Sequence, residues 1–333
     1  MISGSVISTE LPKAGGDVAA IVPEASDSFL EGLWVVIKSC MKELNPALHE
    51  AGMLCARVSA IMILVILVKS ISEKGSQKAL DLASAAAIGY TLMAPSASMI
   101  RLGEETIRSL SEYGKLLLPV MTGAMAAQGG ASTSAGLYAV TAFLDSVLSS
   151  MLSGLILPVM YLFLGLAIAN AATGIALLGK LRDFCKWLMT WVLKSALYVF
   201  TGFLSVTGVV SGATDAAAMK AAKIAISGAV PVVGGILSDA SEAVLVGAGI
   251  LKNSAGIYGL LTVSTLFLVP FFQIGSQYLL LKATGSLCAS LDDGAASKLI
   301  LDFAGGMGLV LAVASVQTVL LLVSTVCFMR GVG

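Results

Sequence analysis

Between Leu116 and Leu178 the chain carries a single charged side chain, Asp145. At roughly 20 residues per crossing, this stretch accommodates about three membrane-spanning helices. Overall composition agrees, with 57% hydrophobic and 12% charged residues against a charged share of about 25% in soluble domains. A long continuous apolar run, unlike the alternation of a membrane barrel strand, calls for helices, which satisfy their own backbone in lipid. The expected fold is therefore all-α, a polytopic integral membrane protein embedded in the lipid bilayer. The 20 basic and 20 acidic residues cancel, so no basic face suggests nucleic acid.

The rest of the chain divides around that block. Met1 to Ser26 is polar, with neither a basic n-region nor a continuous apolar core, and does not read as a signal peptide. From Asp27 to about Glu50, Leu30, Leu33, Trp34, Ile37, Met41, Leu44 and Leu48 recur at three- and four-residue steps. That spacing predicts an amphipathic helix, bent or ended near Pro46, lying on the bilayer or docking a partner. Residues 1–50 thus form an extracytoplasmic segment ahead of a multi-span domain, 51–333. His49, alone and without ligand partners, is expected at the surface.

Spans are expected at 51–68 and 79–100, three within 116–178, and then at 187–210, 253–281 and 303–329, about eight in all. Lys69, Lys74 and Lys78 mark the first connection as cytoplasmic, and Lys180, Arg182 and Lys186 mark a later one. Lys282 and Lys298 fall on the same side, which leaves both chain ends outside. Arg101 to Lys115, where three basic and three acidic residues balance, reads as an external loop, and Gly129-Gly130 as a flexible connection. Asp145 either lines a polar path or sits near a helix end, the second being favoured.

The stretch from Ser211 to Leu261 breaks the pattern. Asp215, Lys220, Lys223, Asp239, Glu242 and Lys252 interrupt segments of Ala, Gly, Ile and Val too short to span. Ser211 or Thr214 can cap a first short helix with Asp215 in its first turn. Pro231, Gly234 and Gly235 end it, and Asp239 with Glu242 resembles a capping box that starts a second. Two architectures stand: a broken, re-entrant helix pair over 211–252 lining a pathway, or an amphipathic hairpin on the membrane surface. If the element crosses the membrane once, the count becomes nine and everything downstream inverts.

This stretch also carries a resemblance. Ser-Gly-Ala-Thr-Asp at 211–215, Lys220 and Lys223, Pro-Val-Val-Gly-Gly at 231–235, Ser238-Asp239 and Lys252-Asn253 with Gly256 and Gly259 follow in an order similar to the signature of the stage III sporulation protein AE family. The resemblance continues more weakly from Leu30 to the last span. It implies a multi-pass protein of the mother-cell membrane surrounding the forespore, part of a transenvelope channel complex or secretion-like apparatus of endospore formation. Implied partners are other stage III sporulation membrane proteins and their ATPase, with a homo-oligomer as a further expectation. Family members often carry a cleavable signal, so this start either follows a cleavage or belongs to a chain that inserts without one.

No enzyme emerges. There is no GxxxxGK[ST], HExxH or GxSxG, and one His gives no triad. Cys40, Cys55, Cys185, Cys288 and Cys327 are scattered, so neither a metal site, a cofactor nor a disulfide framework is expected. The residues expected to matter are Asp215, Lys220, Lys223, Asp239 and Lys252 for charge and Pro231, Gly234 and Gly235 for the break. The competing classes are a secondary transporter of small solutes, in which a broken helix would bind the substrate, and a membrane scaffold without a pore.

Overall fold

The computed structural model describes residues 29–72, 76–127, 131–206 and 254–330. Regular structure there is helical throughout: α1 Phe29–Ile71, α2 Gln77–Ala127, α3 Ala131–Met151, α4 Leu157–Thr173, α5 Ala176–Val206, α6 Ser254–Leu291 and α7 Ala295–Arg330. A π-helical turn, Leu152–Ile156, joins α3 to α4, so the described residues form six rods. Pro158, in the first turn of α4, lacks the amide that would continue a regular ladder, and the wider turn absorbs the loss. Gly174 closes α4 at φ 67°, its N–H reaching the Asn170 carbonyl at 2.9 Å. A left-handed residue here releases the chain into α5.

The rods alternate in direction, and ion pairs fix the end at which they turn. Lys69 Nζ, at the end of α1, bridges Asp81 near the start of α2 at 3.0 Å and Asp292 in the α6–α7 connection at 3.1 Å. Arg182 near the start of α5 meets Asp302 of α7 at 2.7 Å. The basic connections that charge alone assigns to one side are thus gathered at one end of the bundle, the basal end. At the opposite end Gly256, opening α6, lies against Met329, near the close of α7. Since α5 runs away from the basal end, Val206 and Ser254 both belong to that far end.

Helix α7 is the axis. Every residue from Gly306 to Met329 is buried, with α6, α2, the α3–α4 rod and α5 packed around it and α1 lying outside on α6 and α2. Close approach depends on missing side chains. A Cβ on Gly308 would stand 3.0 Å from the Tyr278 ring, one on Gly306 3.2 Å from Leu164, and one on Gly259 3.0 Å from Leu117. Small residues at such contacts let dispersion and backbone proximity hold helices where lipid offers no hydrophobic drive. Hydroxyls in this dry interior turn back on their own helix: Ser264 to Leu260 and Ser315 to Leu311, at 2.7 and 2.8 Å, and Thr318 to Ala314 at 2.8 Å.

Among the described residues four stretches are long and apolar enough to cross a membrane: Leu33–Ile71, Tyr138–Thr173, Gly256–Leu291 and Ala295–Met329. Several expectations change. The amphipathic helix and first span are one helix, α1, with Pro46 inside it. Residues 101–115 are not a loop but the interior of α2, a helix of 51 residues. The three crossings placed in 116–178 are the tail of α2 and the α3–α4 rod, so the eight expected crossings correspond to six rods among the described residues. Counting one crossing per 20 residues fails here because α2, at 1.5 Å per residue, is about 75 Å long. The Gly129-Gly130 connection lies outside the described residues.

Candidate functional site: a buried carboxylate between three helices

Asp145 does not sit near a helix end. It lies well inside the α3–α4 rod at 3% exposure, where α2, α3 and α7 meet. Ser111 Oγ of α2 donates to its Oδ2 at 3.0 Å, and Gln317 Nε2 of α7 donates to its Oδ1. Ser111 is buried on α2, one turn from Ile107 and Gly114. Gly114 matters for the fit, because a Cβ there would stand 3.0 Å from Leu321 and 3.9 Å from the Asp145 carboxylate. Gln317 is fully buried, and its Oε1 has no hydrogen-bond partner.

Chemically, an ionised carboxylate accepts on both oxygens, and here each oxygen has one donor from a different helix. The cluster therefore ties three rods together in a medium where unpaired polar groups are costly. It also presents two unlike acceptors, a carboxylate and a free amide oxygen, side by side. Residue spacing alone singled out Asp145 but neither of its partners. Gln317 had a signal: it is the sole amide or charged side chain between Phe303 and Met329.

Two other polar regions surround the bundle. A cavity of about 510 Å³ opens between α1, α2 and α6, lined among others by Pro46, Glu50, Arg57, Pro95, Gln273 and Gln277. At the basal end Arg182 is held by Asp302 and Asp183; burial opposes its charge, and the two carboxylates outweigh that and raise it above the ordinary arginine value. His49 is exposed, as is Trp34 at 68%. Among the described residues no three His, Cys, Asp or Glu side chains are grouped to hold a metal ion, and all five cysteines are buried thiols. The residues singled out in the broken element, Asp215, Lys220, Lys223, Pro231, Gly234, Gly235, Asp239 and Lys252, lie outside the described residues.

The model of the family described as stage III sporulation protein AE matches residues 23–331, nearly the whole chain and all of the helices above. The chain belongs to the stage III sporulation protein AE family. A curated relative of that name from Bacillus subtilis (strain 168) is 24% identical over 195 residues, which is 59% of this chain and 49% of the relative. The chain thus spans about half the length of the relative it matches. No solved structure matches this member of the stage III sporulation protein AE family. The family model begins ahead of α1 and ends at the close of α7, so the Asp145 cluster and the basal ion pairs both fall within it.

Proposed function

We propose that this chain is a non-enzymatic membrane subunit of the transenvelope channel or secretion-like complex of endospore formation, working in the mother-cell membrane around the forespore. The observation that carries the proposal is the family match over residues 23–331. Its partners would be other stage III sporulation membrane proteins and their ATPase, with further copies of the chain beside it. All six rods would cross or enter the bilayer, the basal end facing the cytoplasm and the two ends of the chain facing out. The gathering of Lys69, Arg182 and Lys298 at one end supports this sidedness.

The element at 211–252 would be re-entrant, with Pro231, Gly234 and Gly235 forming its break and Asp215, Lys220, Lys223, Asp239 and Lys252 its polar lining. What supports this is that the helices flanking it end and begin at the same end of the bundle. A Gly235→Leu chain is expected to accumulate normally yet block sporulation; normal spore counts would overturn the role given to the break. Flux of ions or dye through liposomes only when partner proteins are present supports the channel subunit.

Asp145 gives one specific reason to keep a solute carrier as the second reading, since a carboxylate beside a free amide oxygen could hold a coupling ion. Uptake by the purified chain alone would favour it. Absence of flux under both conditions would leave a scaffold.

A further inference from the structure

Six charged residues of α2, Arg101, Glu104, Glu105, Arg108, Glu112 and Lys115, are all exposed. At 100° per residue they fall within an arc of about 100°, a single stripe rising about 21 Å along the helix. Across the same turns Ile107 and Leu110 are buried, as is Ser111 at the edge of the stripe. The stripe is therefore an outer face of the bundle.

Its height is fixed by the contacts of the buried residues beside and behind it. Ser111 bonds Asp145, which sets the antiparallel α3 so that residues 141–155 pass beside 101–115. Those residues lie within Tyr138–Thr173, a stretch long and apolar enough to cross a membrane. Gly103 lies against Val310 and Gly114 against Leu321, both inside Ala295–Met329, and Gly259 lies against Leu117, inside Gly256–Leu291. Three of the four apolar stretches thus pass the stripe at its own height. At that height α3 turns a different surface outward: Phe143 is 66% exposed, and Val147, Met151 and Leu155 follow on the same face.

A bundle with an ionic face and an apolar face at one height does not fit a uniform surround. Lipid suits Phe143 and Val147 but excludes six charges, and bulk water does the reverse. A dry protein cover over the stripe would have to bury three acids and three bases, each needing its own counter-charge. Arg108 and Glu112 pair with each other at 3.0 Å, yet their side chains remain 78% and 47% exposed.

We propose that the α2 stripe faces water within the membrane layer, lining one wall of an aqueous path, while α3 faces lipid. This rests on the membrane-subunit reading and deepens it by naming the wall. The test uses the full chain in native membranes, with its five buried cysteines replaced by alanine. Single cysteines are placed at Glu105, Arg108 and Glu112 on the stripe and at Val147 and Met151 on α3. A charged, membrane-impermeant methanethiosulfonate is then applied to each. The stripe positions are expected to react at least ten-fold faster than the α3 positions.

Protection of all three stripe positions would mean that protein covers them and would overturn the proposal. Equal, fast reaction at Val147 and Met151 would mean that this height lies outside the bilayer and would overturn it too. Because labelling needs neither transport nor partners, fast reaction on the stripe without flux in reconstituted membranes would leave the water-facing wall standing and remove only the channel role.

Discussion

Replacing Asp145 by alanine removes the one acceptor shared by Ser111 and Gln317. Both donors are then left in a site where Ser111 is 4% and Gln317 0% exposed. In soluble proteins an orphaned buried donor costs about 1–3 kcal/mol, but interhelical hydrogen bonds inside membranes average only about 0.6 kcal/mol because alternative partners are found. Two bonds between three helices therefore put the expected loss at about 1–3 kcal/mol, enough to lower the midpoint of unfolding in mixed detergent measurably. Asparagine has nearly the same shape. Its oxygen accepts from Ser111 while its amide donates to Gln317 Oε1 once the Gln317 amide turns over, which exchanges one unpaired buried group, the Gln317 oxygen, for another, its amide nitrogen. Asp145→Asn should accordingly fold with near-native stability, and a cycle of Asp145→Ala with Gln317→Ala should show coupling of about 0.6 kcal/mol or more. Additive losses in that cycle, or an alanine chain as stable as the parent, would refute the cluster as a tie between α2, α3 and α7. If the asparagine chain folds but spores fail to form, the charge itself matters and the carrier reading gains.

Two further outcomes follow from contacts on either side of that cluster. Gly103→Leu places a side chain into Val310 between two long helices, and overpacking of this kind costs about 1–3 kcal/mol or more; membrane accumulation should fall, whereas Gly123→Leu, with open space around it, should not. The basal ion pairs should differ in weight. Arg182→Met leaves the Asp302 carboxylate, 16% exposed, without its hydrogen-bonded cation and with only the field of Lys186, and is expected to destabilise by about 2–4 kcal/mol, while Lys69→Met, whose partners Asp81 and Asp292 are 40% and 28% exposed, should cost about 1 kcal/mol. Equal midpoints for the two variants would show that burial does not set their strength.

The parts of the fold legible in the sequence are those where one physical rule acts alone. Lys and Arg excess placed the basic connections together, at the end where Lys69 and Arg182 make their ion pairs. The errors arose where two rules compete. Residues 101–115 looked like a loop because charge is dense there, yet Arg101, Glu104, Glu105, Arg108, Glu112 and Lys115 recur with helical spacing, and charge does not end a helix. Asp145 looked like a helix-end residue because a lone carboxylate in an apolar run is expensive. Its partners come from positions 34 and 172 residues away in sequence, and no local pattern announces such a meeting. The broken element, legible as composition, lies outside the described residues.

The basic connections share one end of the bundle whether two or four crossings separate them. Which face a connection occupies depends only on whether the number of crossings before it is odd or even. Four crossings were expected between the Lys78 and Lys180 connections, and α2 with the α3–α4 rod makes two, so both counts return the chain to the basal end. The same parity applies beyond Val206. A single crossing by the intervening chain would require α5 to finish and α6 to start at opposite ends. Arg182 ties the beginning of α5 to Asp302, and Gly256 lies against Met329 at the far end of α7, so the two helices finish and start at one end.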